Sequence, residues 1–171
     1  MTFAITPADR LDALDVMARY AWSLDTGDEE GFVSCFAREG ELVWDVFAEQ
    51  GCWRGHDALR RFIAYFRARP ETAGRQHHVS NLMLSASPHG MRAQAYVLVA
   101  LRVEEGPHRL NVMGHYEDEL CHEAGRWCLA RRVIRDWSGP VLARIAGQDG
   151  QRSTRPRPAA LDGLWATQDE P

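Results

Sequence analysis

The sequence predicts an α+β fold, with helices first and a mostly antiparallel sheet after them. Three observations carry this. Apolar residues recur at helical spacing through the first third of the chain. After Pro70 the pattern changes to period two with a β-rich composition. Tight turns at Ser87-Pro88-His89-Gly90, Glu105-Gly106-Pro107 and Glu123-Ala124-Gly125 then separate successive long strands, as in an antiparallel meander. Helices grouped before strands, rather than alternating with them, give the α+β order. No internal repeat is visible.

Each element has a local cause. Thr6-Pro7-Ala8-Asp9 supplies an N-cap, a proline at the first helical position and an acid three residues after the cap. Leu11, Leu14, Met17, Ala18, Ala21 and Leu24 follow as one apolar stripe. The helix should stop at Asp25-Thr26-Gly27, because glycine suits the left-handed position beyond a helix end. Asp28 can cap a short second helix carrying Phe32, Cys35 and Phe36. A strand is expected over Glu41–Phe47. A third helix should run over about 57–69, with Leu59, Phe62, Ile63 and Phe66 inward and Arg60, Arg61 and Arg67 on a solvated face. The later strands fall near 76–86, 92–103, 109–121 and 126–137. Residues 1–140 form one domain and 141–171 a C-terminal extension. Its 147–160 stretch, rich in Gly, Pro and Arg, is expected to be irregular. It reads as a mobile tail, unless Leu161, Leu164 and Trp165 dock on the body or on a neighbouring subunit.

A chain of 171 residues fits one domain and can bury a core without disulfide or metal staples. With 45% hydrophobic and 26% charged residues it has the composition of a folded globular protein. All 20 cations are Arg, set against 24 acidic residues for a net charge of −4. The absence of lysine excludes Schiff-base and P-loop lysine chemistry, and the acidic balance disfavours nucleic acid as a partner. No stretch approaches the roughly 20 apolar residues that span a bilayer, so no membrane association is expected. The MTFAITPADRL start lacks the basic and apolar regions of a signal peptide, and a cytoplasmic protein is expected. Cys35, Cys52, Cys121 and Cys128 show no CxxC pairing and read as free thiols. The seven His form no HxH, HExxH or Cys/His cluster, so no metal site is expected. GxGxxG, GxSxG and Walker sequences are also missing.

Three segments could carry chemistry. In Arg19–Asp28, Asp25 closes an apolar helix, and either a surface carboxylate, a cap or a functional acid fits that place. Tyr20 would ordinarily be core with its hydroxyl satisfied. In Arg75-Gln76-His77-His78-Val79-Ser80-Asn81-Leu82, strand alternation puts His77, Val79 and Asn81 on one face and His78, Ser80 and Leu82 on the other. One histidine therefore faces the helix-covered side. A carboxylate meeting it would fix its tautomer and raise its basicity. In the third segment, 114–137, alternation places Cys128, Ala130, Arg132, Ile134 and Asp136 on one face and Trp127, Leu129, Arg131, Val133, Arg135 and Trp137 on the other. An inward Arg could bind an anion, or equally pair with an acid across the sheet.

Taken together these segments resemble the SnoaL-like branch of the nuclear transport factor 2-like superfamily, over roughly residues 5–140. The resemblance rests on Tyr-x4-Asp-x-Gly-Asp from Tyr20, Gly-x-x-x-Leu from Gly55, His-His-Val-Ser-Asn from His77, and Gly-x-Tyr-x-Asp-Glu-x7-Trp from Gly114. It implies a cone: a strongly curved sheet wrapped around helices, with a deep pocket inside and oligomers, a homodimer or homotrimer, formed through the outer sheet face. The pattern is similar to scytalone dehydratase, bile-acid dehydratase and lindane dehydrochlorinase, which pair an Asp after the first helix with a His on the first long strand. The resemblance maps that pair to Asp25 and His77, with Tyr20 assisting and Arg132 (or Arg135, one register away) near the last strand. Tyr96 and Tyr116 fall where such pockets are lined, and Trp44, Asn81 and Val112 are further candidate substrate contacts. The implied activity is a cofactor-independent, dehydratase-type elimination on a hydrophobic cyclic molecule such as a polyketide, steroid or aromatic-pathway intermediate. Isomerisation or cyclisation would begin with the same proton abstraction. A non-catalytic role, as in dioxygenase β subunits of this fold, is the competing expectation.

Overall fold

The computed structural model describes residues 4–69, 72, 74–102, 106–138, 140–145, 147 and 153–168. Helix α1 (Pro7–Thr26) begins with the expected capping box: Thr6 Oγ1 accepts from the Asp9 N–H at 3.2 Å and Asp9 Oδ2 accepts from the Thr6 N–H at 2.8 Å. It ends on Gly27, whose φ of +73° a side chain would strain. Helix α2 (Glu29–Ser34) is capped by Asp28, whose carboxylate accepts from the Gly31 N–H at 3.0 Å.

The buried stripe of α1 is Ala13, Val16, Met17, Tyr20, Ala21 and Leu24. Leu11 and Leu14, expected inside, are 67% and 45% exposed. The helix carries two overlapping apolar stripes, and it turns inward the one that sinks Tyr20 among Phe32, Phe36 and Tyr116.

Strand β1 (Phe36–Trp44) starts earlier than expected, taking Phe36 from the helix. The short strand β2 (Gly51–Arg54), which four residues are too few to signal, leads into α3 (Gly55–Arg67). Strands β3 (Gln76–Ser87), β4 (Gly90–Leu101), β5 (Arg109–Glu123) and β6 (Arg126–Asp136) form the meander. The sheet order is β2-β1-β6-β5-β4-β3, antiparallel except for the parallel β1–β6 pair. Register shifts interrupt β1–β6, β3–β4, β4–β5 and β5–β6. Such bulges bend the strands and curl the sheet around the helices.

Two bulges overturn the expected alternation. The β3–β4 pairing skips from Ser80 to Met83, and Asn81 sits there at φ +56°. Leu82 and Leu84 consequently join the core that strict alternation would have denied them, and Asn81 is exposed. On β6 the pairing passes from Leu129 to Arg131, leaving Ala130 over. Trp127 and Leu129 therefore share the core with Ile134 beyond the bulge.

In the C-terminal extension the described residues take the docked alternative, with 153–158 irregular as expected and 148–152 outside the described residues. Helix α4 (Pro140–Ile145) follows the sheet, and Ala159–Leu161 forms a 3-10 turn leading into α5 (Asp162–Trp165). Leu164 is fully buried, and Trp165 packs within 5.8 Å of the Trp44, Phe47 and Trp53 rings. The Trp53 indole N–H donates to Thr167 Oγ1 at 2.9 Å, and the Tyr65 hydroxyl donates to the Ala160 carbonyl at 2.9 Å. The prolines that suggest irregularity hold an extended strap, and three apolar residues beyond it anchor that strap to the body. All four cysteines are unbonded. Among the described residues no helix is long and apolar enough to cross a membrane.

Candidate active site

The curled sheet, α1, α3 and the C-terminal strap enclose a cavity of about 460 Å³. Tyr20, Trp44, His77, Val112 and Tyr116 all line it, bringing five of the nine sequence-predicted site residues together. Phe62 and Phe66, expected only as the core stripe of the third helix, supply more of its aromatic wall, and Leu161 and Arg155 of the strap complete it.

Asp25 stands behind His77 as seen from this cavity. It lines instead a groove between α1 and the free edge of β3. Asp25 lies in the last turn of α1, and both of its carboxylate oxygens reach His77 near the start of β3. The His77 Nδ1–H donates to Oδ1 at 2.5 Å, and the His77 backbone N–H donates to Oδ2 at 2.7 Å. His77 is thereby clamped twice, with Nε2 the ring nitrogen that Asp25 leaves unengaged. His78 faces outward and is exposed, so the doublet resolves in favour of His77.

Burial holds the His77 imidazole below its ordinary value of 6.5, while the Asp25 hydrogen bond and charge oppose that shift. The ring is neutral at pH 7 and can accept a proton. Burial pushes Tyr20 up to about 12 and Tyr116 well above its ordinary value. Both phenols stay protonated and can only donate or accept hydrogen bonds. The Tyr20 hydroxyl is buried with no hydrogen-bond partner among the described residues.

Arg132 does not reach the cavity. It is fully buried and forms a two-pronged pair with Asp118, Nε to Oδ1 at 2.9 Å and Nη2 to Oδ2 at 2.7 Å. Its guanidinium is sandwiched 4.0 Å from the Tyr20 ring centre and 4.1 Å from that of Tyr116. Burial alone would lower Arg132, but the Asp118 carboxylate outweighs it and keeps the cation charged. It supports the two tyrosines from behind and cannot meet a leaving group directly. Arg135 does line the cavity, paired with Asp45 at 2.8 Å and Glu117 at 3.2 Å.

Two expected substrate contacts are misplaced. Tyr96 points to the outer sheet face, 44% exposed, with its ring 5.1 Å from Trp137. Its neighbours Ala95 and Val97 are the inward residues of β4. Asn81 is carried outward by its bulge. Arg75 lines the cavity and was passed over in the sequence, although the strand period places it two residues from His77 and on the same side. Among the described residues no group of three or more His, Cys, Asp or Glu side chains could hold a metal ion.

Solved structures share this architecture. A variant of Rv3472, a protein of unknown function from Mycobacterium tuberculosis, is 22% identical with a TM-score of 0.72, covering 95% of each chain. A candidate scytalone dehydratase from Novosphingobium aromaticivorans is 21% identical with a TM-score of 0.65, over 87% of this chain and 93% of that one. ActVI-ORFA from Streptomyces coelicolor is 18% identical with a TM-score of 0.67, over 75% and 96%. At these identities the likeness is one of fold. No curated protein matches this sequence. The SnoaL-like domain matches residues 6–133, from the cap of α1 into the last strand, and the chain belongs to the SnoaL-like family.

Proposed function

We propose that the protein is a lyase that removes water from a hydrophobic cyclic β-hydroxy carbonyl compound without a cofactor. One observation carries this reading: a neutral histidine, clamped by a half-buried carboxylate, opens onto an aromatic cavity that also holds two protonated tyrosines. His77 Nε2 takes the proton from the carbon next to the carbonyl, and the electron pair moves onto the carbonyl oxygen. Tyr20 or Tyr116 donates a hydrogen bond to that oxyanion, in a site where low dielectric strengthens the bond. Collapse of the enolate restores the carbonyl, forms the carbon–carbon double bond and expels hydroxide from the β-carbon. Hydroxide takes the proton from the His77 imidazolium and leaves as water, returning the histidine to its starting state. Asp25 remains a carboxylate throughout and orients the ring.

Mass spectrometry of β-hydroxy ketones, steroids and polyketide-like carbonyl compounds incubated in deuterium oxide tests this. Loss of water from one compound, absent with His77→Ala, is the expected result. Deuterium uptake or rearrangement without water loss would replace the elimination by isomerisation or cyclisation on the same base. Conversion that survives His77→Ala sinks the base assignment.

Subunits are proposed to pair through the outer sheet face, where Tyr96, Leu98 and Met113 stand exposed on adjacent strands beside Trp137. Sedimentation equilibrium should read a dimer or trimer, and Leu98→Asp with Met113→Asp should shift it toward monomer. A monomeric wild type would rule the interface out.

A further inference from the structure

The cavity is charged as well as aromatic. Its lining includes Arg75, Arg135 and Arg155 against one carboxylate, Asp136. Two of the three cations are matched within the protein. Arg135 sits between Asp45 and Glu117, and Arg155 Nη1 donates to Asp136 at 3.2 Å. Arg75 is served far less well. Its side chain is 13% exposed and its guanidinium lies 4.5 Å over the Phe66 ring, itself part of the cavity wall.

A guanidinium has five N–H donors. Among the described residues Arg75 makes one long hydrogen bond, from Nη2 to the Leu24 carbonyl at 3.5 Å, and its buried Nε has none. The nearest carboxylate is Asp25, 3.9 Å from Nε, and both oxygens of Asp25 are already taken by His77. Burying a cation with so few partners is costly unless something else completes the set. Burial also pulls Arg75 below its ordinary value, with Asp25 only partly restoring it. The chain thus holds an under-bonded cation at the wall of its own cavity, beside the residue that does the chemistry.

We propose that Arg75 is the receptor for a carboxylate on the bound molecule, so that the cyclic compound this cavity takes is an organic acid. The inference rests on the reading of this cavity as the substrate site, and adds what the substrate must carry. A carboxylate at Arg75 would complete hydrogen bonds that the protein leaves open, while the ring system lies against Trp44, Phe62 and Phe66. It would also fix the molecule's orientation relative to His77, because both residues rise from the start of β3.

The test is binding, independent of turnover. Isothermal titration calorimetry compares 2-naphthoate with its neutral isostere 2-naphthamide on wild type, Arg75→Gln and Arg75→Lys. Wild type should hold the acid at least about tenfold tighter than the amide, the span expected of a hydrogen bond to a charged group. Arg75→Gln should weaken the acid by at least about tenfold and leave the amide within about twofold, whereas Arg75→Lys should keep a preference for the acid. Equal affinities for acid and amide in wild type, failure of wild type to bind either probe, or an acid preference that survives in a folded Arg75→Gln would each overturn the proposal. If Arg75 merely braces Asp25, the two probes would lose affinity together. An acid preference that depends on Arg75, in a protein whose conversions survive His77→Ala, would support this inference while removing the lyase reading.

Discussion

Asp25→Asn is expected to lower kcat by about 10³- to 10⁴-fold with the fold intact, the scale of loss when the carboxylate that orients a catalytic histidine is neutralised. The reason lies in the two bonds that Asp25 accepts. One comes from a backbone N–H that cannot change, at 2.7 Å, and the other from His77 Nδ1–H at 2.5 Å. An asparagine has one acceptor and one donor at those places. The fixed backbone donor will claim the carbonyl oxygen, which turns the NH2 toward Nδ1. The imidazole answers by moving its proton to Nε2, at small cost to stability, and the nitrogen that should accept the substrate proton no longer has a lone pair. The pH dependence separates this from simple misfolding. In wild type, kcat/KM should rise with pH through a His77 value held below 6.5 by burial and stay level above it. Stability follows the same sign: the unfolded chain protonates His77 first, near 6.5, so the native state weakens as pH falls from there through the lower folded value and levels off below it. Without the Asp25 charge the histidine falls further, so any residual activity should show its rising limb at lower pH. An Asn variant with full turnover would dismiss the dyad.

How far the sequence reaches is visible residue by residue. The cap at Thr6, the stop at Gly27 and the four long strands follow from local chemistry, because helix ends and turns are decided within a few residues. The Asp25–His77 pairing joins residues 52 apart, and no spacing rule yields it. It came from resemblance to a family, and the geometry then shows which histidine is inward. The misplaced site residues have separate causes. Asn81 sits at a bulge, and an extra residue moves what lies beyond it to the other face. Arg132 is inward as its strand period implies, but Asp118 claims its guanidinium, the pairing that the sequence left open beside anion binding. Tyr96 is a different case, since Ala93, Ala95, Val97 and Val99 already mark the inner face of that strand and leave Tyr96 outside. The sequence offers Leu161, Leu164 and Trp165 as docking residues but not the place, because prolines and arginines read as loop and the Trp44, Phe47 and Trp53 rings that receive Trp165 are over 100 residues away.

Arg132 yields the second large effect, on stability rather than chemistry. Arg132→Met should destabilise the fold by about 3–5 kcal/mol, because it strands the Asp118 carboxylate in a dry interior. Asp118→Leu alone should cost a similar amount by leaving the cation unpaired. The double variant should recover most of the loss, since apolar side chains of similar volume can replace a buried pair at little cost. Chemical denaturation of the three variants reads this cycle directly. The double variant then asks what the pair does for the site. Arg132 reaches Tyr20 and Tyr116 only through their ring faces, so its loss should leave the hydroxyls present but less firmly held. Turnover should fall in kcat more than in KM, and the rising limb set by His77 should move little. A double variant that folds and turns over like wild type would make the pair purely a matter of folding. Single variants that cost less than about 1 kcal/mol would instead mean that water reaches the pair, and that the core behind the two tyrosines is wetter than its packing indicates.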